Sequence, residues 1–317
     1  MKKVCAIVMA LCLLLAGLCP ALAEDKTYRI GICQLAPHPA LDAATQGFRD
    51  FLTEKLGDRV VFDEQNAAGE AATCMQIMNS FISEDVDLIM ANATASLQAA
   101  QSATGDIPIL GTAVTDYGVA LDLTCVDGKT GVNISGTSDL APLDQQAAMI
   151  KELFPEAKEV GLLYCSSEAN SAYQIEVMTQ ELTKLGFRCT EFAFSDSSDV
   201  TSMTSTACQN SDVIYVPTDN VVATCAEAIR NVAEVDRVPI IAGEEGACAG
   251  CGVATLSISY YELGRITGEM AFEVLCEGVD ISQMAIRYAP TTTKEFNAEM
   301  CEILGVNVPA DYVAIAK

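Results

Sequence analysis

The sequence predicts an α/β fold made of two doubly wound parallel-sheet lobes joined by a hinge that the chain crosses three times. Three observations carry this. Apolar runs of four to six residues alternate with helical patterns from about residue 28 onward, the rhythm of βαβ units. The rhythm breaks between 112 and 139 and then resumes as a second unit of the same kind. Beyond residue 23 the chain still has 294 residues, more than one ordinary core accommodates.

The first 23 residues read as an export signal. Lys2 and Lys3 precede an apolar run from Val4 to Leu18, and Ala21-Leu22-Ala23 supplies small residues at the cleavage spacing, so the mature chain is expected to begin at Glu24 and to act outside the cytoplasm. Lipid anchoring at Cys19 is the rival, disfavoured because Leu18 stands where a small residue is wanted. No later segment approaches the ~20 apolar residues of a membrane span.

The first lobe then shows strands near 28–33, 60–64, 87–91 and 107–111 and helices near 40–56, 70–83 and 96–103. In the first helix Ala40, Ala44, Phe48, Phe51 and Leu52 form a stripe for a sheet face, and Gly57 ends it. The segment "GTAVTDYGVALDLTCVDGKTGVNISGTSD" reads as turn-rich. Helices 142–153, 171–185, 199–208 and 220–235 and strands 159–164, 188–194, 212–216 and 238–242 make the second unit. A strand at 253–258, a helix at 261–277, a strand near 284–288 and a helix at 294–304 return to complete each lobe. The expected division is 24–135 with 252–282 for one lobe and 136–251 with 283–317 for the other.

Charge narrows the function. Without Lys2 and Lys3 the formal charge is −27, which repels phosphate backbones and argues against nucleic acid or anionic lipid as partner. Eleven cysteines remain, and an odd number cannot all pair within one chain. Cys33, Cys74, Cys225 and Cys276 fall within strand and helix patterns and read as buried thiols. "CAGC" at 248–251 reads as a local disulfide or two free thiols, since neither a redox context nor a second zinc ligand pair accompanies it.

Catalytic chemistry is sparse. One histidine, no nucleophile elbow, no phosphate loop and no dinucleotide fingerprint leave no cofactor or metal to expect and disfavour an enzyme, although carboxylates alone can hydrolyse glycosides. What recurs is a polar cluster at the carboxyl end of each strand: "QLAPHPALD", with Gln34 and His38; "NATAS"; "TAVTD"; "CSSEANS"; "PTDN"; and "GEEGAC". Ligands of open α/β sheets sit beyond these ends. Backbone N–H groups near Ala95 and Ser96, with the Thr94 and Ser96 hydroxyls, suit a carboxylate, though Ser96 serves equally as a plain helix cap. Asp219, Glu244 and Glu245 suit an ammonium. His38 is expected to wall the pocket; the competing reading is a helix-entry residue stiffened by Pro37 and Pro39.

These clusters, in this order, resemble the substrate-binding proteins of ABC transporters, and within them the group assigned to tryptophan and tyrosine uptake, often called TrpX-like. The matching stretches are "HPALDAATQGF", "DLIMANATASLQAA", "DIPILGTAVTD", "LLYCSSEANS", "VIYVPTDNVV", "VPIIAGEEG" and "YYELGRITGEMA", which together span nearly the whole mature chain. The resemblance implies a type I periplasmic-binding-protein-like fold, no catalysis, an amino acid ligand of aromatic kind, and delivery to a membrane permease by a monomer. It places Thr94, Ala95 and Ser96 at the ligand carboxylate, Thr115 and Asp116 on the same lobe, and Glu168, Asn170, Thr218, Asp219 and Asn220 opposite. Glu244 or Glu245 takes the ammonium, and Tyr260 and Tyr261 close the rim. Cys165 and "CAGC" depart from the pattern and bear on ligand identity. A sensory binding protein, or one for another class of solute, is the alternative.

Overall fold

A computed structural model describes residues 26–316; the expected signal, its cleavage site and Cys19 lie outside them. The chain builds two sheets. The first begins with β1 (Tyr28–Gln34), α1 (Pro39–Leu56), β2 (Val60–Asn66), α2 (Ala71–Ser83), β3 (Leu88–Asn92), α3 (Thr94–Ala103), β4 (Ile109–Val114), α4 (Tyr117–Leu121) and β5 (Ile134–Ser138). The second holds α5 (Leu143–Leu153), β6 (Glu159–Cys165), α6 (Ala169–Lys184), β7 (Arg188–Phe194), α7 (Val200–Asn210), β8 (Val213–Val216), α8 (Asn220–Thr224), α9 (Ala226–Asp236), β9 (Ile240–Ala242), α10 (Glu245–Cys251) and β10 (Ala254–Ile258). The chain then returns through α11 (Tyr260–Glu277) and β11 (Arg287–Tyr288) to the first lobe, and ends in the second with β12 (Thr292–Phe296), α12 (Ala298–Leu304) and β13 (Val313–Ala314).

Strand order is β11-β5-β4-β3-β1-β2 in one sheet and β13-β12-β10-β9-β8-β6-β7 in the other. Central strands such as β3 and β8 are buried along their whole length and mainly apolar, because helices cover both of their faces. Within the two sheets, among the described residues, the pairing of β10 with β12 is antiparallel and the others are parallel. The chain crosses between lobes after β5, after β10 and after β11, three times as the sequence implied.

The crossing points differ from expectation. β10, expected in the first lobe, pairs with β9 in the second sheet, Ala254 opposite Ile241, so the chain leaves that lobe only after Ile258. The first lobe keeps β5 and β11, so its boundaries fall after Ser138 and Tyr288 rather than after 135 and 282. β5 went unread because it has one large apolar residue. Its interior is held by hydroxyls instead: Thr137 Oγ1 lies 3.2 Å from Thr112 Oγ1 and 2.8 Å from Thr267 Oγ1. The expected helix at 294–304 is partly β12, which pairs antiparallel with β10, Thr292 opposite Ile258 and Phe296 opposite Ala254, before α12 begins at Ala298. All eleven cysteines are free; Cys276 is exposed and Cys225 half-buried, against the expectation of burial, and Cys225 forms the break between α8 and α9 rather than a turn of one helix over 220–235.

The returning α11 is locked to α1. A methyl group at Gly47 would fall on the Tyr261 carbonyl oxygen, and one at Gly264 on the Ala44 carbonyl, so both positions require glycine for the helices to touch through their backbones. Tyr261 Oη donates to Asp50 at 3.0 Å, and Arg265 forks onto Glu54 at 2.8 and 2.9 Å. Gly264→Ala is expected to destabilise the protein by about 2–3 kcal/mol in urea unfolding; a change under about 0.5 kcal/mol would mean that the two helices part without cost.

Candidate functional site

The carboxyl ends of both sheets face each other across a closed cleft. The cavity there measures about 300 Å³ and is narrow. His38, Thr115, Asn170, Thr218, Asp219, Asn220, Glu244 and Tyr260 line it, eight of the residues the sequence singled out. Leu41, Ala113, Ala223 and Asp139 complete the lining and were not anticipated. Among the described residues the cavity has three carboxylates and no Lys or Arg.

His38 unites its two readings. It is the N-cap of α1 with extended backbone (φ −155°, ψ 157°), and Pro39 starts the helix, where a missing N–H costs nothing. From there its Nε2 reaches Asn220 Oδ1 of the other lobe at 3.2 Å, a bond that joins the lobes. Its Nδ1 is buried without a partner.

Asp139 stands one residue past β5, at the first crossing. Thr115 Oγ1 donates to its Oδ1 at 3.0 Å and Tyr260 Oη to its Oδ2 at 3.0 Å. Tyr260 begins α11, so this bond ties the first crossing to the second. Burial pushes the Asp139 carboxyl up to about 6, with Tyr260 and Thr115 opposing and Glu244 adding to the rise. The clue in the sequence was "ISGTSD", a small-residue strand ending in a carboxylate, concealed inside the stretch read as turns.

On the second lobe, Asp219 caps α8 by accepting from Val222 N at 2.9 Å and also accepts from Cys165 N at 2.7 Å. Burial, with Glu168 beside it, raises its affinity for a proton. Glu168 does not reach the cavity. It braces Asn220, accepting from the backbone at 3.2 Å and from Nδ2 at 2.8 Å, and from Asn170 Nδ2 at 3.0 Å. Gln174, through Thr218 N and O, fixes the adjoining loop. Glu244 caps α10, accepting from Gly246 N at 2.5 Å and from Ala247 N. Burial raises its pKa, and the neighbouring His38 opposes the rise.

Other sequence-derived candidates lie elsewhere. Gln34 faces into the first lobe, accepting from Thr45 at 2.7 Å and donating to Asp42 at 2.6 Å. Asp116 caps α4, accepting from Val119 N at 2.8 Å. Glu245 is exposed beside the cavity rather than in it. Thr94, Ala95 and Ser96 open α3 but do not line the cavity, and the Ser96 hydroxyl points into the core, 3.5 Å from both Cys33 and Cys74 sulfurs. Nor does Ser96 cap the helix, because the N-cap is Ala93, which has no side chain to offer. Ala93 and Ala113 hold left-handed backbone (φ 85° and 52°) on adjacent strand ends, and backbone strain of this kind collects at binding sites.

Residues 29–317 match the profile of the family described as ABC transporter substrate binding protein. The chain is 38% identical over 298 residues to a tyrosine-binding protein of Clostridioides difficile strain R20291, covering 93% of this chain and 86% of that protein. It superposes with a TM-score of 0.86 on the Streptococcus pneumoniae ABC domain in complex with L-Trp, 30% identical, with 90% and 97% of the two chains covered. Against the ligand-free, open structure of a Clostridium difficile substrate binding protein with adhesive properties the TM-score is 0.71, at 36% identity and 92% and 100% coverage. The better match to the ligand-bound structure, at lower identity, accords with lobes that are closed here. Binding proteins under 20% identical share only the two-lobe type I fold. The chain belongs to the ABC transporter substrate-binding protein family.

Proposed function

We propose that the protein is the extracytoplasmic binding component of an ABC importer, exported by residues 1–23, that takes an aromatic amino acid between its lobes and presents the closed, loaded form to a membrane permease. It acts as a monomer and performs no chemistry on the ligand. The observation that carries this is the enclosed cavity in which Asp139, Asp219 and Glu244 converge without a lysine or arginine. Such a set is poor in counter-charge and accepts an ammonium group. The relatives' names, for tyrosine and L-Trp, support the amino acid class. We assign the ligand carboxylate to the first-turn N–H groups of α3, which stand beyond Ala113 of the cavity lining, Ala93 N donating to Thr112 O at 3.0 Å, and which Ala93 leaves without a side-chain cap.

Mechanism follows from charge. Closing an empty cleft buries carboxylates, which costs free energy unless they take up protons; an ammonium between them removes the penalty and adds bonds from both lobes. Only the closed form makes both sets of contacts, so ligand shifts the population toward it.

Thermal unfolding of the mature protein against the twenty amino acids tests the assignment. Tyrosine and tryptophan are expected to raise the melting point, by about 2.7 kcal/mol of stability at a hundredfold excess over Kd, and a rise confined to sugars would refute it. Asp139→Asn and Asp219→Ala are each expected to weaken binding about tenfold or more.

The pH dependence has a definite sign. In the ligand-free closed protein Asp139 holds its proton up to about pH 6, against 3.8 for an ordinary aspartate, so the folded state binds more protons across that window. Its contribution to stability is therefore present at low pH and lost as pH rises from 3.8 to about 6. Ligand affinity runs the other way, since the ammonium needs the anions: it increases through pH 6 as Asp139 ionises and rises again toward pH 8, where Asp219, pushed up to about 8 by burial and Glu168, loses its proton. Calorimetry at several pH values is expected to show this rise in the wild type and a flatter profile in Asp139→Asn; equal slopes would remove Asp139 from the ammonium site.

A further inference from the structure

The central cavity is too narrow for an aromatic ring as well as an amino acid's charged groups, so the ring requires adjoining space. Two grooves adjoin the cavity and share lining residues with it. One, of about 750 Å³ including its solvent-open part, joins it at Thr115 and runs past Asp116, Thr124 and Ser138 to Tyr288, which is 60% exposed. The other, of about 770 Å³, joins it at Glu244 and Tyr260. Its walls come from both lobes: Pro39, Ala40 and Ala43 on α1, Ala249 on α10, and Ile315 of the C-terminal segment. Ile315 is held in place by its N–H, which donates to Phe296 O at 2.9 Å.

We infer that the ligand's aromatic ring lies in this second groove, between the start of α1 and the start of α10, with Glu245 at the rim accepting a hydrogen bond from the ring's polar edge. The inference rests on the amino acid reading above. Small apolar side chains line this groove, which suits a ring, whereas Thr115, Asp116, Thr124 and Ser138 make the first groove more polar. The groove adjoins the cavity, with Tyr260 and Glu244 forming the wall common to both, so a ring reaches it by passing those two side chains. Glu245 is exposed, its N–H donates to Ser257 Oγ at 3.1 Å, and no hydrogen bond engages its carboxylate among the described residues. A phenol O–H and an indole N–H are both donors, and phenylalanine offers none. The groove therefore selects tyrosine and tryptophan over phenylalanine.

Titration calorimetry with tyrosine, tryptophan and phenylalanine tests this. Ala249→Trp fills the groove from an exposed position that leaves the fold intact, and is expected to weaken tyrosine binding at least tenfold with an unchanged melting point of the ligand-free protein. Thr124→Trp, in the other groove, is expected to bind as wild type. Glu245→Gln is expected to bring tyrosine within about threefold of phenylalanine, from about tenfold apart in the wild type. Unchanged tyrosine affinity in Ala249→Trp, or loss confined to Thr124→Trp, would overturn the placement while leaving the amino acid reading intact. Wild-type protein that binds none of the three would overturn both.

Discussion

Everything at the centre of this protein depends on carboxylates held out of water with no lysine or arginine among the described side chains that line their cavity. Asp139, Asp219 and Glu244 each carry two protein hydrogen bonds, and each binds its proton more tightly than a free side chain would. Those bonds orient the groups without neutralising them. The site is thus preorganised and electrically unfinished, and a positive ligand group completes it. Lobe closure and charge neutralisation are one equilibrium.

The rest of the fold delivers these groups to one place. Asp139 arrives because β5 ends at the first crossing; Tyr260 meets it because α11 starts immediately after the second. The start of α11 is set in turn by the backbone contact of Gly47 and Gly264 with the facing helix. A packing constraint distant from the cavity therefore determines whether the Tyr260 hydroxyl reaches Asp139. On the opposite lobe the same task falls to Glu168 and Gln174, which hold the Thr218–Asn220 loop through its backbone and amide groups. The His38–Asn220 bond then reports closure directly, since its partners belong to different lobes.

The two-lobe order was legible because parallel strands covered on both faces are apolar throughout, and helices with one buried face carry a period of 3.6. The site was legible where strand ends carried polar residues before a helix, as at His38, Thr218 and Asp219. β5 and Asp139 were missed for one reason: a strand buried through hydroxyl contacts has the composition of a turn. Ser96 misled in the opposite direction. A serine two residues into a helix is as suitable for a ligand as for the core, and only the positions of Cys33 and Cys74 decide which. Strand β10 was found but given to the wrong lobe, because local patterns carry no information on which sheet a strand joins.

Selectivity follows from the same unpaired charge. A neutral sugar of fitting size would leave the carboxylates to be buried as anions or to take up protons, and an anionic ligand would add repulsion to that cost. A zwitterion escapes both penalties if its two charges are read by different means, the ammonium by side-chain carboxylates and the carboxylate by backbone donors at a helix start. The spacing between those two features discriminates an α-amino acid from a simple amine, and the groove beyond Tyr260 has only to grade side chains. Rejection of wrong ligands thus comes mainly from desolvation, a term that acts during closure, so an ill-suited solute entering the open cleft fails to hold it shut.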